Sequence, residues 1–181
     1  MITEFGYKKL EKNLIDIIKE EQAKLGFIDE DIRLYYPLSS LNHFFDAVYS
    51  EDEMLRNLTG FSSYTSNTLG DIQVTAVHDR FCFYIPKQGV RYVHETIGKN
   101  EFIYKLVNLI ADHDCTMDDI KKLFIDASPD VYIEKINNGE FDTLIRFKDN
   151  SDDRYYYCFK DEGCNIIYHR FLPEDYEDLV L

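Results

Sequence analysis

The sequence predicts an α+β fold in which antiparallel β-meanders pack with amphipathic helices. Apolar residues recur every three or four positions in some segments and alternate in others, which is typical of helices and strands respectively. Gly, Asn, Asp and Pro fill the breaks between the alternating runs, as tight turns require. We find no linker-like segment and no internal repeat, and 181 residues suit one compact domain. A single domain over residues 1–181 is therefore predicted.

Each predicted helix has one apolar stripe and an opposite charged face. Ser50 with Glu53, and Thr116 with Asp119, have the spacing of a capping box that begins a helix. Helical segments are predicted near residues 4–25, 41–58, 100–113 and 117–126, meanders near residues 72–95 and 131–171, and a short strand at residues 32–36.

The first meander is predicted to contain three strands, whose order the sequence leaves open. The alternating runs are Ile72–Val77, Phe81–Ile85 and Val90–His94. Turn residues at 78–80 and at Pro86–Gly89 separate these runs.

The register of the second meander follows from its turns. Asn and Gly at 138–139 suit a two-residue type I′ turn, which needs positive φ at both positions. This turn would place Ile136 opposite Phe141 and Lys135 opposite Asp142, so that apolar and oppositely charged pairs match.

A three-residue loop at 161–163 would place Lys160 opposite Cys164 in the last hairpin. Cys158 and His169 would then point to opposite faces, which argues against a catalytic dyad. Both faces of this meander are apolar, so we expect helices on one face and another element or a partner on the other. The predicted faces are Tyr156, Cys158, Ile166 and Tyr168 on one side, and Tyr155, Tyr157, Phe159, Ile167, His169 and Phe171 on the other.

The composition restricts the possible partners and locations. Thirty-four acidic against twenty basic residues give a net charge of −14, which argues against nucleic-acid or membrane binding through a basic surface. No apolar run approaches the roughly 20 residues of a membrane span, and the N-terminus lacks the pattern of a secretory signal. We therefore expect a cytoplasmic location. The four cysteines form no Cys-x-x-Cys pair, and neither a metal nor a cofactor is predicted.

Four residues are candidates for a catalytic site. His78, Asp79, His94 and Glu95 bracket the first meander and would converge if its strands paired in sequence. They would suit a small hydrolase. The sequence contains no Gly-x-Ser-x-Gly elbow and no Gly-rich phosphate loop.

The preferred hypothesis is a non-enzymatic, acidic, cytoplasmic protein-binding module. It would resemble immunity or inhibitor proteins in general character and would bind a basic partner, and its oligomeric state is open. Tyrosine-rich surfaces suit protein binding, although core packing also accounts for these rings. The candidate binding residues are Tyr64, Tyr155, Tyr157, His169 and Phe171. A third hypothesis is a small-ligand sensor with residues 60–70 as a lid, which would need an apolar cavity under that segment.

Several stretches together resemble an uncharacterised family of bacterial domains of unknown function. They are IRLYYPLSSLNHFF at 32–45, RFCFYIP at 80–86, GVRYVHE at 89–95, and the tail from YCFKDEG at 157–163 to Asp175 and Tyr176. The resemblance covers most of the chain. It implies no activity, ligand or catalytic residue.

Overall fold

The structure, a computed structural model, describes residues 2–78, 80–96, 101–136, 138–148 and 153–180. Its helices and two antiparallel sheets confirm the predicted α+β class. The chain divides into an N-terminal unit, residues 1–99, and a C-terminal unit, residues 100–181. The single-domain organisation stays a prediction.

The elements follow one another along the chain. The N-terminal unit contains α1 (Ile2–Leu25), β1 (Ile32–Pro37), α2 (Leu38–Phe45), α3 (Glu51–Leu58), α4 (Phe61–Thr65), β2 (Gln73–Val77), β3 (Arg80–Ile85) and α5 (Lys87–Thr96). The C-terminal unit contains α6 (Phe102–Ile110), α7 (Met117–Ala127), β4 (Val131–Lys135), β5 (Thr143–Phe147), β6 (Tyr156–Asp161), β7 (Ile166–Phe171) and α8 (Pro173–Val180).

The N-terminal sheet has the order β1-β3-β2, so the predicted third strand of the first meander is wrong. That segment is helix α5, in which Val90 and Val93 are buried at helical spacing. A carboxylate oxygen of Asp31 accepts a hydrogen bond from the backbone N–H of Lys87 at 2.7 Å. This bond satisfies an N–H of the first helical turn. The third strand of the sheet is β1 instead.

The helical segment predicted at 41–58 is two helices. α2 ends at Phe45, and the next residue, Asp46, has a left-handed backbone with φ of 48°. α3 begins at Glu51, directly after its cap residue Ser50, whose capping box with Glu53 is confirmed. The predicted loop at 60–70 contains α4, and its Thr65 is buried with its hydroxyl 3.1 Å from the carbonyl oxygen of Gly70.

The C-terminal sheet has the order β4-β5-β6-β7, which confirms the four-stranded meander. The predicted register of its first hairpin is wrong by one residue, because Lys135 lies opposite Thr143. The side chain of Asn138 accepts bonds from two backbone N–H groups of the loop and so widens the turn. Asp142 pairs with Lys160 instead, at 3.0 Å.

The predicted register of the last hairpin is wrong by three residues. Lys160 lies opposite Ile167, because the loop begins one residue later than predicted and has four residues, 162–165. A 3.0 Å backbone hydrogen bond closes it. An odd shift moves every side chain of a strand to the other face. Cys158 therefore lies directly opposite His169, on the same face.

The two faces of this sheet have different cover. On the inner face, α6 and α7 pack against the strands, as predicted for one of the two faces. Buried residues of this core are Ile103, Leu106, Ile120, Phe124, Ile145, Phe147, Tyr155, Tyr157, Phe159, Ile166 and Tyr168.

Candidate functional site

The opposite side of the C-terminal sheet, which we call the outer face, is the candidate site. Alternation along each strand places its side chains there, and α8 contributes one more. The residues of the outer face are Tyr132, Glu134, Phe141, Leu144, Arg146, Tyr156, Cys158, Lys160, Ile167, His169, Phe171 and Tyr176.

Helix α8 covers only part of the outer face. Pro173 is suited to the first helical turn, and it begins α8 just after β7 ends. Tyr176 then packs with ring centroids 5.3 Å from Tyr156 and 6.3 Å from Phe171. All three rings stay half-buried, and Ile167 is 43% exposed.

Arg146 lies between two tyrosine rings at one end of the outer face. Its guanidinium carbon is 4.9 Å from the ring centroid of Tyr132 and 5.3 Å from that of Tyr156, which are cation–π distances. The hydroxyl of Tyr132 donates a 3.0 Å hydrogen bond to Glu134. This hydrogen bond, with the adjacent negative charge, raises the pKa of Tyr132.

The floor of the outer face is a small buried cluster. Phe141, Leu144 and Cys158 form it. Burial, followed by the charge of Glu140, raises the pKa of Cys158 to about 12. A thiol with this pKa is protonated near neutral pH and is a poor nucleophile. Although Cys158 lies opposite His169, the pair is therefore better explained by packing than by catalysis.

The negative charge of the chain is concentrated in the C-terminal unit. Residues 100–181 hold nineteen acidic and nine basic residues, so 9 − 19 gives −10 of the total −14. Two exposed carboxylates of this unit, those of Glu134 and Glu140, act on groups of the outer face. An approaching cation would therefore meet carboxylates and aromatic rings together.

The five predicted binding residues lie in three different parts of the structure. Tyr155 and Tyr157 are buried in the inner core, which excludes them from a surface of the folded chain. His169 is exposed and Phe171 half-buried, and both lie on the outer face. Tyr64 belongs to α4, where it is half-buried against α1.

Sequence reasoning missed Tyr132, Arg146 and Tyr176. The signal for the first two was the pairing of β4 with β5, which places them on one face in the correct register. Tyr176 could have been found from the position of Pro173, because a helix that begins there returns toward β7.

His94 and Glu95 lie on a helix, so the four catalytic candidates do not lie at the ends of paired strands as predicted. His78 lies in the β2–β3 turn with φ of 58°, and Asp79 lies outside the described residues. His94 belongs to α5 and stacks on Phe27 with ring centroids 4.1 Å apart, and Glu95 follows it on the same helix. The hydrolase stays a prediction. The described part of the chain contains no group of three or more His, Cys, Asp and Glu residues that could hold a metal ion.

Two carboxylates near α5 have structural partners. Asp29 binds Arg91 with two hydrogen bonds, one of 2.6 Å, and Asp31 accepts from Tyr84 and from the N–H of Lys87. The hydrogen bond from Arg91 lowers the pKa of Asp29, and that from Tyr84 lowers the pKa of Asp31. These bonds fasten the segment between α1 and β1 to β3 and α5.

A shallow cleft of about 500 Å³ lies beside residues 60–70, the segment predicted as a lid in the sensor hypothesis. Its lining is mainly polar and charged, unlike the apolar cavity that the sensor hypothesis requires. The sensor stays a prediction. The residues lining it are Asn67, Thr68, Lys87, Gln88, Arg91, Tyr92 and Glu95.

Within the described ranges, every helix is too short or too polar to cross a membrane.

The fold and the outer face define an α+β chain with a half-covered aromatic surface on its second sheet. The chain belongs to the family described as "Domain of unknown function, E. rectale Gene description (DUF3877)", which it matches over residues 7–180. This membership confirms the resemblance noted in the sequence. No curated protein and no solved structure gives a match.

Proposed function

We propose that this chain is a non-enzymatic protein-binding module of the bacterial cytoplasm that holds a basic partner protein on its outer face. Neutralising the partner, as immunity proteins do, is the role that we favour. The observation that carries the proposal is the incomplete cover of the outer face, where aromatic side chains stay half-buried beside exposed Ile167.

The composition of the outer face supports protein binding. Protein interfaces are enriched in Tyr, Phe and Arg. Tyr and Arg are also the residues whose truncation most often weakens a complex. Both types meet in Tyr132, Arg146 and Tyr156. The two tyrosine rings are held by their neighbours, so ordering them on binding would cost little conformational entropy.

The charge of the C-terminal unit supports a basic partner. A net charge of −10 over residues 100–181 attracts cationic proteins and speeds their encounter. Because exposed charges are screened by salt, such a complex should form readily at low ionic strength and weaken at high ionic strength.

The test uses two matched variants, Ile167→Lys and Ile125→Lys. Ile167 is 43% exposed on the outer face, and Ile125 is 55% exposed on α7, an inner-face helix. Both changes add the same positive charge at an exposed isoleucine. The tagged wild type and both variants are used to capture proteins from a lysate of the native host at low and at high salt, and mass spectrometry identifies the captured proteins.

We expect one basic protein to be captured by the wild type at low salt and reduced at high salt. Ile167→Lys should reduce its capture about tenfold or more, because it sets like charges against each other in the interface. Ile125→Lys should retain most of it. Equal loss in both variants would show a general charge effect, and an equal yield in all three proteins would contradict binding at the outer face.

A further inference from the structure

The outer face contains a pair of rings, Phe171 and Tyr176, that we propose receives an arginine side chain of the basic partner. This inference rests on the proposed function and deepens it, because it names the chemical group that the surface recognises.

The outer face already holds one arginine of its own in this manner. The guanidinium carbon of Arg146 lies 4.9 and 5.3 Å from the ring centroids of Tyr132 and Tyr156. Arginine stacks on aromatic faces because its planar cation is weakly hydrated and is attracted by the ring quadrupole. The geometry of this surface is therefore compatible with a guanidinium between rings.

The rings of Phe171 and Tyr176 lie next to Tyr156, which contacts Arg146. Tyr176 lies 5.3 Å from Tyr156 and 6.3 Å from Phe171, and the ring of Phe171 is 5.8 Å from that of Phe141. Within the described part of the chain, no lysine or arginine lies over Phe171 or Tyr176. Both rings are half-buried, so they are fixed by packing and still partly open to a partner.

The charge of one carboxylate acts on Tyr176 of this pair. Glu134 is exposed, and its oxygen accepts a hydrogen bond from Tyr132 on the outer face. Burial is the main cause of the raised pKa of Tyr176, and the charge of Glu134 adds to it. A guanidinium over Tyr176 would therefore meet both the face of the ring and the negative charge of Glu134.

This combination favours arginine over lysine. An arginine offers a flat surface for stacking and several N–H donors in its plane, whereas a lysine ammonium is compact and strongly hydrated. A peptide rich in arginine should therefore bind more tightly than a lysine peptide of equal length and charge. The charge of the C-terminal unit alone would not distinguish the two.

The experiment titrates the full chain with an oligoarginine peptide and with an oligolysine peptide of equal length, by calorimetry at low salt. We expect the oligoarginine to bind about 3- to 10-fold more tightly. Tyr176→Leu keeps an apolar side chain but removes the ring, and should weaken oligoarginine binding by about 2- to 30-fold, the range of one cation–π contact. Phe171→Leu is a second variant with the same expectation.

Tyr104→Leu is the matched control, because Tyr104 is half-buried and packs with the inner core. It should leave binding of both peptides within about twofold. Circular dichroism of each variant verifies its fold, and Phe171→Leu serves if Tyr176→Leu unfolds. Equal affinity for the two peptides, or oligoarginine binding that neither outer-face variant weakens, would overturn the proposal.

Two further outcomes are informative. If Ile167→Lys abolishes capture of the native partner while both ring variants still bind oligoarginine normally, arginine recognition by this pair is wrong and the proposed function stands. If sedimentation shows a dimer that Ile167→Lys converts to a monomer, and oligoarginine does not bind, a second copy of the chain covers the outer face and the arginine proposal is overturned.

Discussion

Replacing Gly89 with alanine tests how α5 packs in the N-terminal unit. An alanine is normally worth up to about 1 kcal/mol over glycine in a helix, the full value applying in the interior rather than in the first turn, where Gly89 lies. Here a Cβ at Gly89 would lie 2.3 Å from the carbonyl oxygen of Leu69 and 2.8 Å from its carbonyl carbon. These are backbone atoms, which cannot rotate away as a side chain does. Overpacking typically costs about 1–3 kcal/mol, and taking about 3 against a gain of about 1 leaves a net loss of about 2 kcal/mol.

Urea-induced unfolding, followed by circular dichroism, gives the free energy of unfolding for the wild type and for Gly89→Ala. Gln88→Ala is the control, because Gln88 is exposed and precedes Gly89 in the same helix. It should change the free energy by less than about 0.5 kcal/mol. A Gly89→Ala protein at least as stable as the wild type would refute the close contact between α5 and Leu69.

Three further predictions concern the C-terminal unit. A thiol reagent at pH 8 should modify exposed Cys164 and spare buried Cys158, and equal labelling of both in the folded chain would contradict the burial of Cys158. Because the pKa of Cys158 is raised to about 12, its contribution to the free energy of unfolding is present below pH 9 and is lost as the pH rises toward 12. Tyr157→Phe should lower the free energy of unfolding by about 1.5–3 kcal/mol, because it removes a buried hydroxyl that donates a 2.7 Å hydrogen bond to a carboxylate. The control Tyr156→Phe should lower the free energy of unfolding by less, and equal effects of the two changes would contradict this hydrogen bond. Thr116→Ala should cost about 1 kcal/mol in urea unfolding through loss of the α7 cap, and an unchanged free energy would show that the cap is not formed.

Features determined by neighbouring residues were predictable from the sequence. The capping boxes at Ser50 and Thr116 depend only on a residue three positions away, and both are confirmed. The meander at 131–171 was predictable because alternation is a local pattern.

Features that depend on tertiary contacts were not predictable. In GVRYVHE at 89–95, Val90, Tyr92 and His94 alternate as in a strand, while Val90 and Val93 have helical spacing. The segment forms a helix because Asp31 accepts a hydrogen bond from a backbone N–H of the first turn, and because Gly89 allows the helix backbone to approach Leu69 closely.

The registers of both C-terminal hairpins depended on loop conformation. Strand pattern alone does not predict the bonds accepted by the Asn138 side chain, nor the later start and extra residue of the loop at 162–165. The odd shift of β7 moved His169 and Phe171 to the face of Tyr156. For this reason the outer face, with Arg146 between two tyrosines, was not visible in the sequence.

The central claim, that the outer face is the protein-binding surface, can be tested most directly by site-specific photo-cross-linking in the native host. A photoreactive phenylalanine analogue is placed at Ile167 in one protein and at Ile125 in another, two exposed positions of which only the first is on the outer face. The account predicts a cross-linked complex with a basic protein from position 167 and none from position 125. A complex with that protein from position 125 alone, or equally from both positions, would contradict it.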